Sequence, residues 1–127
     1  MAHPRMFDDD APYLADLRKI CLEFPEATEV EAWGRPTFRA GPTKMFAVFG
    51  AHDHGGAAVL FKPEAADRRG LVADTRFFVP PYFGPSGWLA LDLDSAPIDW
   101  DEVGELMDAS YRQVALKRML KVLDSAR

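Results

Sequence analysis

Two histidines stand close enough together to suggest a metal-binding pair, His52 and His54 on either side of Asp53. Residues two apart on a β-strand share a face, and two imidazoles on one face could take part in a metal site. Here the pair is followed by Gly55 and Gly56, which favour a hairpin turn, and no cysteine accompanies it. We therefore predict a solvated turn and no bound metal.

Two other side chains could act as nucleophiles, Cys21 and Ser86. Cys21 falls on the apolar face of a predicted helix, and no basic residue is patterned to activate it. Ser86 lies between Pro85 and Gly87 and lacks the Gly-x-Ser-x-Gly sequence of a nucleophile elbow. The sequence therefore predicts no catalytic residue, and we expect neither a cofactor nor enzymatic activity.

A group of carboxylates near the start of the last helical region could gather cations: Asp92, Asp94, Asp99, Asp101 and Glu102. Their spacing does not match an EF-hand loop. Asp99 is placed instead to cap a helix, with Glu102 reaching back toward it in a variant of the capping box.

Basic side chains concentrate in two segments of a chain whose net charge is -5. Residues 35–90 contain seven basic and four acidic side chains, and residues 110–127 contain five and one. Such cations could contact nucleic-acid phosphates, whereas an ordinary solvated helix face is the alternative for the second segment. The candidate nucleic-acid-binding residues are Arg35, Arg39, Lys44, Lys117, Arg118 and Lys121.

An aromatic-rich stretch surrounds Pro80-Pro81, whose fixed φ angles make it rigid. We call residues 78–88 the aromatic loop, and its candidate contact residues are Tyr82, Phe83 and Trp88. Such a surface could bind another protein or a small ligand. We expect Trp33 and Trp88 to be mainly buried, because each large ring stands at a strand boundary beside a glycine turn.

Hydrophobic periodicity predicts the elements that would hold these residues. A helix is predicted between residues 11 and 24, a short helix over 63–69, and a C-terminal helical region with a kink or a second short helix near 111–116. Strands are predicted over Thr28–Trp33, Thr37–Ala40, Lys44–Phe49, Ala57–Phe61, Arg76–Val79 and Trp88–Leu93. In the last strand, Trp88, Ala90 and Asp92 point one way and Leu89, Leu91 and Leu93 the other.

The length of 127 residues favours a single domain, which we place at residues 1–127. No apolar run is long enough to span a bilayer, and the first residues lack a signal-peptide core. The single cysteine cannot form an intrachain disulfide, so we expect a cytoplasmic protein without membrane contacts.

An ordered set of short motifs resembles the MmcQ/YjbR family: Trp33-Gly34-Arg35-Pro36-Thr37-Phe38-Arg39, Lys44-Met45-Phe46-Ala47, Leu60-Phe61-Lys62, Pro81-Tyr82-Phe83-Gly84, Gly87-Trp88, Asp99-Trp100 and Ser110-Tyr111. The resemblance covers about residues 10–120. It implies an α+β fold in two layers, related to secretion-chaperone-like and CyaY-like domains. The expected sheet is antiparallel with about five strands, helices at both ends of the chain and a short helix between strands. The family is often labelled DNA-binding, and no catalytic residues come with it.

Two functions remain open at this point. One is a DNA-binding accessory protein that acts through local basic patches. The other is a non-enzymatic module that binds another protein or a small ligand through the aromatic loop.

Overall fold

The computed structural model describes residues 4–51 and 56–126, in which six strands and four helices are found. The strands are β1 Ala27–Ala32, β2 Arg35–Ala40, β3 Lys44–Ala51, β4 Ala57–Phe61, β5 Phe77–Phe78 and β6 Leu89–Asp92. The helices are α1 Leu14–Cys21, α2 Ala65–Val72, α3 Trp100–Val114 and α4 Lys117–Ser125.

The strands form one antiparallel sheet in the order β1-β2-β3-β4-β6-β5. The last strand in the chain therefore lies inside the sheet, and the short β5 forms one edge. The predicted α+β fold, with helices at both ends of the chain and a short helix between strands, is confirmed with six strands. No helix within the described ranges is long and apolar enough to cross a membrane.

Helices α1, α3 and α4 cover one face of the sheet, and the main core lies between these two layers. At its centre, Tyr111 stacks on Phe24 with ring centroids 4.7 Å apart and meets Phe46 edge-on at 5.3 Å. The Tyr111 hydroxyl donates a 2.6 Å hydrogen bond to the Pro25 carbonyl. This bond ties α3 to the turn that follows α1.

A β-bulge in β3 changes the face to which its side chains point. The register between β2 and β3 shifts at Phe38 and Arg39, which leaves Phe46 as an extra residue. As a result, Phe46 and Ala47 both enter the core under the helices, although they are adjacent in sequence. Val48 then faces the opposite side of the sheet.

Ser110 on α3 satisfies the backbone at this bulge. Its hydroxyl donates a 2.6 Å hydrogen bond to the Phe46 carbonyl and accepts a 2.9 Å bond from the Lys62 N–H. The serine has no solvent-exposed surface. One buried side chain thus joins α3 to the bulge in β3 and to the end of β4.

The face away from the helices, which we call the open face, is also apolar. It carries a small cluster made of Val48, Leu60, Trp88 and Ala90, against which Met45, Phe78 and Phe83 pack. The alternation predicted for the last strand is confirmed, because Leu89, Leu91 and Leu93 belong to the core under the helices. The protein therefore buries apolar side chains on both faces of its sheet.

The predicted features of the C-terminal region are confirmed except for one contact. The Asp99 carboxylate caps α3 by accepting bonds of 3.0 and 3.2 Å from the N–H groups of Asp101 and Glu102. Glu102 does not reach back toward Asp99 but pairs with Arg76 at 2.7 and 3.1 Å, which links α3 to the segment before β5. Of the two predicted alternatives, a kink or a second short helix, the structure shows the second helix: α4 begins at Lys117, after a break of two residues from the end of α3.

Replacing Ser110 with alanine should lower the free energy of unfolding by about 1–3 kcal/mol, because a buried carbonyl and a partly buried N–H lose their partner. Urea denaturation followed by circular dichroism measures this change. Ser125→Ala is the matched control, since its hydroxyl bonds the Val122 carbonyl at an exposed helix end. Equal stabilities of the two variants would contradict a structural role for Ser110.

Candidate functional site

A cleft of about 630 Å³ lies on the open face, between the sheet and the aromatic loop. Strands β3 and β4 form its floor through Val48, Gly50 and Leu60. The loop forms a wall through Phe78, Pro80, Pro81, Tyr82 and Phe83. Trp33 and Arg35, from the hairpin between β1 and β2, complete the lining. This volume is within the range of roughly 300–1,000 Å³ that is typical of small-molecule sites.

Gly50 on the cleft floor lies beside the side chain of Arg35. A Cβ atom at Gly50 would lie 3.7 Å from Arg35 Nη1, an ordinary contact, and 3.2 Å from Leu60 Cδ1, a tight one. The guanidinium and the apolar Leu60 therefore border the same point of the floor. Arg35 is half-buried in this position.

Trp33 is the first residue of a two-residue hairpin turn between β1 and β2. Its φ is 54° and that of Gly34 is 75°, the pair of left-handed conformations that a type I′ turn requires. The turn leaves the Trp33 side chain 50% exposed. The prediction that Trp33 is mainly buried is therefore wrong, because a turn residue at the end of the sheet projects into the cleft rather than into the core.

Tyr82 is the second aromatic residue held in a left-handed conformation beside the cleft, with a φ of 68°. The Phe83 N–H donates a 2.8 Å hydrogen bond to the Pro81 carbonyl, which closes a γ-turn around Tyr82. The positive φ is the strained form of that turn. The side chain is nevertheless 96% exposed, so it gains almost nothing from packing.

Phe83 connects the loop to both tryptophans on the open face. Its ring centroid lies 6.1 Å from that of Trp33 and 5.4 Å from that of Trp88. Trp88 is 7% exposed, so its predicted burial is confirmed. The three predicted loop residues thus differ in position: Tyr82 is exposed, Phe83 lies at the cleft wall, and Trp88 supports Phe83 from below.

The charge of Arg35 has no ion-pair partner within residues 4–51 and 56–126. Other arginines of the described chain form ion pairs, among them Arg18 with Glu29 at 2.9 Å and Arg76 with Glu102 at 2.7 Å. Asp94 lines a smaller cavity that Arg35 also borders, but its carboxylate accepts a 2.7 Å bond from the Ala57 N–H.

The six basic candidates do not meet on one surface. Arg35 and Arg39 share the open face of β2, whereas Lys44 pairs in register with Ala40, whose side chain is in the core under the helices. Lys117, Arg118 and Lys121 lie on α4, in the helical layer. Arg118 forms hydrogen bonds of 2.9 and 3.1 Å to Glu26, and these bonds lower the pKa of the Glu26 carboxyl below its ordinary value.

The other chemically capable residues do not contribute to the cleft. Cys21 is buried in the core, where desolvation, aided by the Glu29 carboxylate, raises the pKa of the thiol well above its ordinary value. Histidines His52 and His54 lie outside the described residues. Within the described ones, no group of three or more His, Cys, Asp or Glu side chains could hold a metal ion.

The fold and the cleft define a small α+β domain with one face covered by helices and a second face partly covered by an aromatic loop. A family model described as YjbR matches residues 22–113. Because this match covers most of the chain, the chain belongs to the YjbR family.

A solved structure agrees with this assignment at the level of the fold. The crystal structure of Deinococcus radiodurans protein DR2400, with the domain designated DUF419, is similar with a TM-score of 0.70. The two share 20% sequence identity over 87% of each chain. No curated protein matches the chain.

Sequence reasoning identified the aromatic loop but did not predict that Trp33 lines the cleft opposite the loop. The signal was present in the sequence, since a residue followed by glycine between two alternating segments is typical of a two-residue hairpin. Sequence reasoning also placed Arg35 among the phosphate-binding candidates, and in the structure this arginine lines an apolar cleft.

Replacing Trp88 with alanine should lower the free energy of unfolding by roughly 3–5 kcal/mol, because a large buried ring is removed. Trp33→Ala is the control, and its cost should be smaller because half of that ring is already in solvent. Thermal melts of both variants measure the difference. An unchanged melting temperature in Trp88→Ala would contradict its supporting role under the loop.

Proposed function

We propose that this protein is a non-enzymatic binding module whose cleft takes up a small molecule with a flat, apolar body. The floor of the cleft is aliphatic, and its walls carry aromatic rings and prolines. Such a lining favours a ligand that buries apolar surface and stacks against rings.

One observation carries this proposal: two exposed aromatic residues are held in left-handed conformations beside the same cleft. Trp33 and Tyr82 have φ angles of 54° and 68°. A non-glycine residue in this conformation costs about 1–3 kcal/mol, and such strain clusters at ligand clamps and active sites. Packing does not compensate for this cost at Tyr82, whose side chain is 96% exposed. Ligand contact is a role that would account for both residues.

The rigidity of the aromatic loop supports the same function. Two adjacent prolines restrict its backbone, and the Gly84 N–H donates a 3.0 Å hydrogen bond to the Pro80 carbonyl. A Cβ at Gly84 would lie 2.4 Å from Val79 Cγ1, so any other residue there would force the Val79 side chain to shift. A wall that is already ordered loses little conformational entropy when a ligand binds.

A neutral fluorescent probe tests the proposal. N-phenylnaphthylamine is flat and apolar, and its fluorescence rises in an apolar environment, so titration should show saturable binding at one site. Tyr82→Asn should weaken this binding about fivefold, because one aromatic contact is lost. The variant should be as stable as the parent or up to about 1 kcal/mol more stable, because asparagine tolerates the left-handed conformation.

Val122→Asn is the matched control, since Val122 is also an exposed apolar residue but lies on α4, away from the cleft. Its probe affinity should equal that of the parent. Failure of the folded parent to bind the probe would overturn the proposal. Equal affinities of the parent and Tyr82→Asn would remove the tyrosine from the site.

Nucleic-acid binding through exposed cations is the second candidate function. The observation that favours it is the pair Lys117 and Lys121, both exposed and one helical turn apart on α4. Arg118 lies between them, although Glu26 partly neutralises it. These cations could contact a few phosphates of a DNA backbone.

Fluorescence anisotropy with a labelled duplex at several salt concentrations tests this candidate. For double-stranded DNA, the log–log salt slope should be about 0.9 per neutralised phosphate. Replacing Lys117, Arg118 and Lys121 with glutamine should flatten the slope without a large change in melting temperature. An unchanged slope would exclude the α4 surface, and a parent that binds no duplex at low salt would exclude this function.

A further inference from the structure

We infer that the ligand of the cleft is a planar aromatic anion whose oxyanion group pairs with Arg35. This inference rests on the proposed function and adds a charge and a shape to the ligand. Three features of the described structure lead to it: the position of the guanidinium, its electrostatic surroundings, and the aromatic residues around it.

The guanidinium of Arg35 lies beside the floor of the cleft. Its Nη1 is 3.7 Å from the position that a Cβ would take at Gly50, which is ordinary contact distance to the floor. Leu60 Cδ1 is 3.2 Å from that same position, so the charge and an aliphatic group border the same point of the cleft. A ligand in the cleft would meet this cation directly.

The surroundings of Arg35 favour an anion. A charge beside apolar groups is poorly hydrated and interacts more strongly with an opposite charge than it would in open water. Within residues 4–51 and 56–126, no carboxylate is paired with it. The planar fork of an arginine can donate two parallel hydrogen bonds to one oxyanion, which adds geometric specificity to the attraction.

The aromatic residues favour a planar ring system as the body of that anion. Trp33 and Tyr82 present exposed rings from the two sides of the cleft lining, the hairpin and the loop. Phe83 stands beside Trp33, with ring centroids 6.1 Å apart. Flat ligands can stack on or meet such rings edge-on, whereas a flexible aliphatic chain would gain only area burial.

A matched pair of probes isolates the charge. Anilinonaphthalene sulfonate has the ring system of N-phenylnaphthylamine plus one sulfonate, so the ratio of their affinities reports the anionic contact. In the parent protein the sulfonate should bind more tightly, and added salt should weaken it more than the neutral probe. Arg35→Gln should reduce sulfonate affinity about tenfold, the size expected for one charge-assisted hydrogen-bonded contact, and change neutral-probe affinity less than about twofold.

Arg39→Gln is the matched control, because Arg39 lies on the same face of the same strand but outside the cleft lining. It should leave the affinity ratio unchanged. Arg35→Met, which keeps much of the apolar stem, gives a second variant if the glutamine variant unfolds, as monitored by circular dichroism. Competition with naphthoate, naphthyl phosphate and inorganic phosphate then distinguishes the oxyanion sources. The aromatic anions should displace the sulfonate probe, and inorganic phosphate alone should not.

The possible failures are distinguishable. If the neutral probe binds but the affinity ratio is the same in the parent and Arg35→Gln, the anion inference is wrong and the proposed function stands. If inorganic phosphate displaces the probe as well as naphthyl phosphate does, the aromatic part of the inference is wrong. If neither probe binds the folded parent, both the inference and the proposed function are overturned.

Discussion

The bulge at Phe46, held by the buried hydroxyl of Ser110, shifts the alternation of β3 and so decides which of its side chains enter the core and which face the cleft. Regular alternation would send Phe46 and Val48 to the same side. The extra residue separates them, so that Phe46 packs against Tyr111 under the helices while Val48 forms part of the cleft floor. The two hydrogen bonds of Ser110 satisfy the buried Phe46 carbonyl and the partly buried N–H of Lys62.

The two apolar faces are covered in different ways. The face under the helices contains the main core, and the other face contains the cleft. Helices cover one face and bury most of the large core side chains. The other face is covered only in part, by Trp88 and by a rigid loop that leaves a cleft. Non-glycine residues with a positive φ occur in that second layer, at Trp33 and Tyr82, and also on either side of α1, at Tyr13 and Glu26. Of these four, Trp33 and Tyr82 line the cleft. Strain of this kind persists where the surrounding structure holds the residue in place.

Periodicity was sufficient to predict most of the fold, because the strands have strongly apolar residues at regular intervals. The alternation of the last strand assigned its side chains to the correct faces. The bulge could not be predicted in this way, since two adjacent apolar residues entering one face violate the period. The exposure of Trp33 was also missed, because a large ring near a glycine is compatible with burial or with a hairpin turn. For the cleft, the sequence supplied the loop residues, but not their juxtaposition with Arg35, which depends on the order of strands in the sheet.

The distribution of charge bears on which anions such a protein can accept. The chain has a net charge of -5, and residues 91–109 contain seven acidic side chains and no basic one. A long polyanion that covers much of the surface would approach these carboxylates as well as the separated cations. A small monoanion in the cleft would interact mainly with Arg35, because salt screens exposed charges beyond about 8 Å at physiological ionic strength. The acidic segment is therefore compatible with the proposed small anion at Arg35, whereas an extended polyanion would also meet like charges.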